Sequence, residues 1–533
     1  MSSVSPLQSS MLHARAAAAM TLLAGACFAV ILTLAFTESP LAATALAFLL
    51  GALGMLTLVL GYTGAVAMGA VLSAFLLMAR YDEGWALPVD PIIKLKISYL
   101  VTTGCAFALV AGAAVRPVFG LAGNRPVEGR AQRRLAHVLF GFALIALALN
   151  HATDTTVPLR NFKGEILALL AILIPLTFVW LIPRSPIAMG RALLCLRAII
   201  LLGGLAGLIM GMFGLLPVAV LNLLGWSTTT GGTADLVRGR LPLGHPNTVS
   251  AIMLLLLPPA IVFGFADRSI LWRAVNLVCA VSMFGGTLFA LSRAAFAAML
   301  LALCVTFLYL VLTQRKHKVV VLLLLACVAC VFAGIAAFLF THMDFSRFWS
   351  RGYYEDASVD RRFESLTTVL AVWKDHPLLG VSPDAVYPRL DLRPDWAPPA
   401  GDIASPIIFY RGMPSAETPH NMYLSALAEF GTPGGIIFLA IIGVTLLQLH
   451  RVQRRLPDRA RRRIVVGFML GIGAFLLMGC FEALLMTSMR AATIFWVFAG
   501  LALRYAIASV TEDAELMATA PPALRPTLTV SGS

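Results

Sequence analysis

A few histidines and arginines stand out against an otherwise apolar chain. His420 opens the stretch "PHNMYLSALAEFG", in which Asn421, Leu424, Leu427 and Ala428 share one helical face. Imidazole gains and loses a proton near neutral pH, so a histidine at a water interface can serve as a general base. It can equally cap the helix or hold an anionic oxygen as imidazolium. Arg293 lies between two apolar runs in "LFALSRAAFAAMLL", where an unpaired guanidinium at a helix centre costs roughly 2.5–3.5 kcal/mol on insertion. It needs an anionic partner, or it reaches to the headgroups. Arg361 and Arg362 begin "RRFESLTTVLAVWKDHPLLG", with Asp360 and Glu364 as partners in a plainer, solvated reading. Arg238, Arg240 and His245 precede "HPNTVS", a helix start that Asn247 or Thr248 can cap. A helix N-terminus beside arginines favours phosphate, although "TTTGGT" is no Walker motif. The chemistry these groups share is recognition of a lipid phosphate or diphosphate.

The elements that must position them are membrane helices. With 59% hydrophobic and 12% charged residues and a mean hydropathy of +0.87, the chain cannot cover a soluble globule with polar surface. Apolar stretches of roughly 17–25 residues, the length that crosses the hydrocarbon as helix, recur along nearly the whole sequence. They fall near 16–36, 41–60, 62–79, 97–115, 135–151, 165–182, 192–213, 247–266, 272–291, 294–313, 319–340, 433–449, 464–481 and 491–508. This predicts an all-α polytopic membrane protein with about 12–14 spans. The basic head and apolar run "MLHARAAAAMTLLAGACFAVILTLAF" are long enough to be an uncleaved first span rather than a signal peptide.

Orientation follows from basic residues, which cytoplasmic connections retain. With the N-terminus inside, the inner connections carry Arg116, Arg125, Arg130, Arg133, Arg134, Arg184, Arg191, Arg268, Arg273, Arg315, Lys316 and Lys318, then seven arginines from Arg451 to Arg463. Both termini are therefore expected in the cytoplasm and 341–432 outside. The net charge of +14 is accounted for by these loops, so nucleic-acid binding is not called for. Expected divisions are N-terminal spans over 1–240, further spans over 241–340, an outer module over 341–432, C-terminal spans over 433–508 and a tail over 509–533.

All eight cysteines fall in apolar helices and read as small core residues; Cys327 and Cys330 within lipid make a poor zinc or redox pair. The outer segment Thr341 to Pro419 has eleven aromatics and nine prolines, enough to fold as a module rather than a tether. Within it, Phe363, Leu366, Leu370 and Trp373 define one face of an amphipathic helix that Pro377 and Gly380 end. The Pro-rich stretch 388–419 reads as loop.

In order, "LSRAAF", "RRFESL" followed by "HPLLGVS", and "PHNMYLSALAEFGTPGGIIF" resemble the O-antigen ligase and polymerase superfamily over 285–440. "GVS" replaces the usual Gly-x-Gly, and ahead of 240 the likeness is one of helix count only. The resemblance implies a GT-C-like fold with a large, partly helical periplasmic loop, in the bacterial inner membrane with a periplasmic active site. It implies a metal-independent glycosyltransferase, with no cofactor, that takes a glycan from undecaprenyl diphosphate. Arg293 and Arg362 then clamp the diphosphate with His420 as catalytic partner; on residue chemistry rather than resemblance, Arg361, Arg238 and Arg240 are expected to add to the phosphate site, and Asn421, Glu429 and His245 to support it.

That assignment agrees with the residue chemistry. A departing diphosphate needs fixed donors, which guanidinium forks supply, and no Asp-x-Asp accompanies the histidine, so arginines can stand in for a metal. His420 as base, or as phosphate ligand, both remain open. Single displacement inverts the anomeric carbon; retention would need a nucleophile, with Asp384 and Glu429 the nearest alternatives. Trp396, Phe409 and Tyr410 suit stacking on sugar. The expected acceptor is lipid A-core oligosaccharide, making the chain an O-antigen ligase of lipopolysaccharide biosynthesis. Alternatives are an O-antigen polymerase, a protein O-oligosaccharyltransferase or, in a different class, a transporter of lipid-linked glycan.

Overall fold

A computed structural model describes residues 60–74, 87–90, 93–95, 97–118, 130–153, 159–215, 246–290, 292–313, 356–381, 408–410, 413–415 and 420–519, with the isolated residues 319 and 326. The span expected at 16–36, and nearly all of those at 41–60 and 319–340, lie outside the described residues.

Thirteen helices follow one another among these residues. They are α1 (Leu60–Ala74), α2 (Ile97–Val118), α3 (Arg130–Thr153), α4 (Leu159–Leu181), α5 (Met189–Leu215), α6 (Pro246–Ala266), α7 (Ile270–Phe289), α8 (Arg293–Thr313), α9 (Asp356–Asp375), α10 (Met422–Arg455), α11 (Arg459–Met478), α12 (Leu484–Thr487) and α13 (Met489–Thr519). Seven of them are long and apolar enough to cross a membrane, so the chain is an all-α, multi-pass membrane protein. Helix is the form an apolar run must take in lipid, because it satisfies every backbone donor and acceptor within the segment.

The bundle is organised around α6 and α13, which are buried almost throughout. Leu254, Leu255 and Leu256 of α6 and Trp496, Phe498 and Tyr505 of α13 are fully or nearly fully enclosed. Around them α7 packs on α5 and α6, α11 on α6, α8 on α6 and α11, and α4 on α13. Short connections between α6, α7 and α8, and between α10, α11 and α13, make neighbours antiparallel. Consequently the N-termini of α6, α8, α10 and α13 lie at one end of the bundle, together with the C-terminus of α11. The Arg451–Arg463 connection lies at the other.

Two differences from the sequence reading concern the connections. Short antiparallel hairpins occur where only loop was expected: β1 (Leu87–Asp90) pairs with β2 (Ile93–Leu95), and β3 (Ile408–Tyr410) with β4 (Met413–Ser415). The last helix also continues through Thr519, past the expected end at 508.

The amphipathic helix exists as α9, but its buried line is rotated from the expected one. Thr368, Val369 and Val372 are enclosed, packing with Val381 and Ala428, while Leu366, Leu370 and Trp373 are half-buried. Two adjacent apolar stripes compete on this helix. The valines win because they face the first turns of α10; Trp373 lies beside them and uses its indole N–H instead.

Candidate active site

His420 immediately precedes α10, and the sequence around it fixes its place tightly. Asn421 is the N-cap, with φ −151° and its Oδ1 accepting from the backbone N–H of Tyr423 and of Leu424 at 3.0 Å each. The same side chain donates from Nδ2 to the carbonyl of Cys480 at 3.0 Å. Met422 N–H donates to the carbonyl of Gly479 at 2.8 Å, and Tyr423 O–H to that of Leu476 at 2.7 Å. These bonds join the start of α10 to the end of α11 and the turn after it. Capping therefore belongs to Asn421, and the imidazole of His420 is left for another role.

That turn supplies Glu482, which the motifs did not single out. Its Oε2 lies 3.3 Å from His420 Nδ1, and its Oε1 accepts from Asn247 Nδ2 at the start of α6. One carboxylate thus collects an imidazole and an amide from three segments far apart in sequence. The His420 side chain is 24% exposed and that of Glu482 13%, so the pair sits at the edge of the bundle within reach of water, held but not enclosed. Asn247 is buried and anchors the carboxylate from below. The signal that could have revealed Glu482 is a lone acid between two spans, at the same end as the histidine.

A second construction attaches α9 to this site. Past α9 the chain turns through "HPLLG" to Gly380, with φ +68°, while α10 breaks at Gly431, with φ +67° and ψ 176°. The two glycines are pressed together. A Cβ on Gly380 would lie 2.4 Å from the Gly431 nitrogen, and one on Gly431 would lie 2.3 Å from the Leu378 carbonyl oxygen. Both positions need glycine for φ and for space. Hydrogen bonds close the joint: Thr432 N–H to Pro377 O at 2.7 Å, Val381 N–H to Ala428 O at 3.0 Å, and Trp373 Nε1 to Thr432 Oγ1 at 2.9 Å. Asn150 of α3 adds a bond from Nδ2 to Gly380 O at 3.0 Å. Pro433 starts the spanning half of α10 just after the break, a position where its missing N–H costs nothing.

Glu429 is buried beside this joint. Arg361 and Arg362 lie in the first half of α9, and Arg293 is the first residue of α8, at the same end of the bundle as His420. The side chains of these three arginines, and all of Arg238, Arg240 and His245, lie outside the described residues. Among the described residues no three His, Cys, Asp or Glu side chains come together as a metal-binding set.

The class of protein is thus a helical membrane protein whose polar cluster sits at one end of the bundle. Residues 278–439 match the family model described as O-antigen ligase. The resemblance to that superfamily therefore holds for the segment from α7 to the middle of α10. The matched stretch contains Arg293, Arg361, Arg362, the "HPLLG" turn and His420; Asn247 and Glu482 fall outside it. No curated protein matches the chain.

Proposed function

We propose that this chain is an O-antigen ligase, moving a polysaccharide from undecaprenyl diphosphate to a sugar hydroxyl of lipid A-core oligosaccharide. The observation that carries the reading is the meeting of His420 with Glu482 and Asn247 at the edge of a segment that matches O-antigen ligases. His420 is the general base. Nδ1–H donating to Glu482 selects the tautomer in which Nε2 accepts the proton, and fixes the ring plane. The acceptor oxygen bonds to the anomeric carbon as that carbon's bond to the diphosphate oxygen breaks. The proton passes to His420, and the bonding electron pair leaves with undecaprenyl diphosphate. One displacement inverts the anomeric centre.

Arg293 and Arg362 hold the diphosphate, assisted by Arg361, Arg238, Arg240 and His245. Guanidinium forks stabilise the charge that develops on the leaving group, the part a divalent ion would otherwise play. Asn421 and Glu429 act through structure, one by capping α10 and the other beside the glycine joint. We assign the His420 end to the periplasm and both termini to the cytoplasm of a bacterial inner membrane, on the strength of the arginine-rich connections.

The test is reconstitution of the full chain with lipid-linked glycan and EDTA, supplying lipid A-core, a second lipid-linked glycan or a serine- and threonine-bearing protein in separate arms. Glycan on lipid A-core is the expected product. Product only on the second lipid-linked glycan makes the chain a polymerase, and product only on protein makes it a protein O-oligosaccharyltransferase. Passage of glycan across the bilayer with no new glycosidic bond overturns the transferase reading, and a strict need for added Mg²⁺ overturns the metal-free one.

A further inference from the structure

A cleft between α3 and α4 lies far from His420, toward the arginine-rich end of the bundle. It measures about 160 Å³ and is lined by His137, Phe140, Leu173, Ile174 and Trp180 among others. Its walls are almost wholly apolar, and Phe140 is 41% exposed, so the cleft is open at its side. At its mouth the rings of His137 and Trp180 meet edge to face, 5.5 Å between centroids. Amphipathic rings of this kind sit at headgroup level.

Among the described residues, the charged side chains nearest that mouth in sequence are arginines. Arg133 lies four residues before His137 and seven before Phe140, on the same face of α3, and Arg134 follows it; both are exposed. Arg184 stands four residues beyond Trp180, just past the end of α4. No carboxylate pairs with Arg133 or Arg134 among the described residues. The volume suits part of an acyl chain and is far too small for a helix about 10 Å across.

We propose that this cleft binds an anionic glycerophospholipid of the leaflet at the arginine-rich end, an acyl chain lying on Phe140, Leu173 and Ile174 and the phosphate held by Arg133 with Arg134 and Arg184 around it. The apolar floor selects a chain, and the basic rim selects the headgroup charge. Each basic side chain near a membrane surface contributes about a fivefold preference for anionic lipid.

Trp180 reports the occupant directly. The full chain is placed in phosphatidylcholine nanodiscs carrying the same low fraction of chain-brominated phosphatidylglycerol or chain-brominated phosphatidylcholine. The fluorescence difference between wild type and Trp180→Phe isolates the Trp180 signal. Brominated phosphatidylglycerol quenches it several-fold more than brominated phosphatidylcholine, and Arg133→Gln, which removes one positive charge, lowers this preference about fivefold. In the wild type alone, unbrominated phosphatidylglycerol restores the fluorescence and unbrominated phosphatidylcholine does not. Equal quenching by both lipids shows unselective lipid contact and overturns the proposal. Quenching by neither shows that a part of the chain itself covers the cleft, and overturns it too.

Discussion

The two ends of the helical bundle draw on the same kinds of polar group and use them in opposite ways. At the arginine-rich end, guanidiniums fasten connections. Arg197 pairs with Asp267 and lies 4.6 Å over the Trp272 ring. Arg273 donates to the Asp267 carbonyl, Arg462 to that of Leu456 and Arg463 to that of Thr313. Arg268 and Arg461 both approach Asp458, which also caps α11. At the other end a single carboxylate, Glu482, orients an imidazole that stays within reach of water. Among the described side chains, ion pairs gather where they fasten connections, and at the opposite end the pair is that of His420 with Glu482. The number of charged residues therefore does not locate the site; a titratable group held by partners at the rim does.

The largest effect expected from this contrast is at His420. His420→Ala removes the proposed base and should lower the single-turnover rate by about 10²–10⁴, with thermal unfolding in detergent little changed, since Asn421 keeps the cap. A wild-type rate would move the base elsewhere. Arg197→Ala should do the reverse. It leaves Asp267, which is only 6% exposed, without its partner, at about 3–5 kcal/mol of stability, while surviving protein keeps its turnover per molecule. If the arginine variant loses rate before it loses stability, the two ends are not as separate as they look.

Much of this was legible in the sequence, and the misses have physical causes. Spans such as α6, α7 and α8 follow from the length of their apolar runs, because lipid leaves the backbone no alternative to helix. His420 could be read because its neighbours are local: Asn421 caps the helix that His420 introduces. Glu482 stands out only as a lone acid between two spans; its pairing with His420 bridges 62 positions, and no local pattern reports a pairing at that distance. Of the joint, the sequence shows one side: Pro377 and Gly380 end the amphipathic helix, but only the fold shows that α10 breaks at Gly431 and that Gly431 is pressed against Gly380. The buried face of α9 was misplaced because its valines and its bulkier apolar residues form neighbouring stripes, and only the partner surface chooses between them.

Intermediate effects probe what holds the histidine and what attaches α9. Glu482→Gln keeps shape and the bond from Asn247 but removes the negative charge facing His420. Loss of such an orienting partner typically costs about 10- to 100-fold, and it should appear in the chemical step with lipid-diphosphate binding intact. An effect on donor binding alone would make Glu482 part of the substrate site instead. Gly431→Ala forces an alanine to φ +67° against the Leu378 carbonyl, a strain of about 1–3 kcal/mol. Because the first half of α9 carries Arg361 and Arg362, loosening the joint should weaken donor binding more than it slows bound donor. Binding unchanged by Gly431→Ala would show that α9 finds its place without the joint.

The smallest effect is expected at Arg268. Its side chain is 85% exposed and reaches Asp458 at 3.3 Å, a surface pair whose attraction is screened by water and salt and is worth about 0–1 kcal/mol. Asp458 also keeps Arg461 at 3.7 Å and its capping bond to the Ala460 N–H at 2.8 Å. Arg268→Ala should thus leave turnover unchanged and shift thermal unfolding barely at all, whereas Asp458→Ala removes cap and both ion pairs together and should cost more, about 1 kcal/mol from the cap alone. The comparison is read by melting both variants side by side at low and high salt. A large, salt-sensitive loss in Arg268→Ala would mean that the arginine-rich end acts as one coupled network. Equal, small losses in both variants would mean that its connections are held by the bundle beneath them, and that the pairs seen there are only its trim.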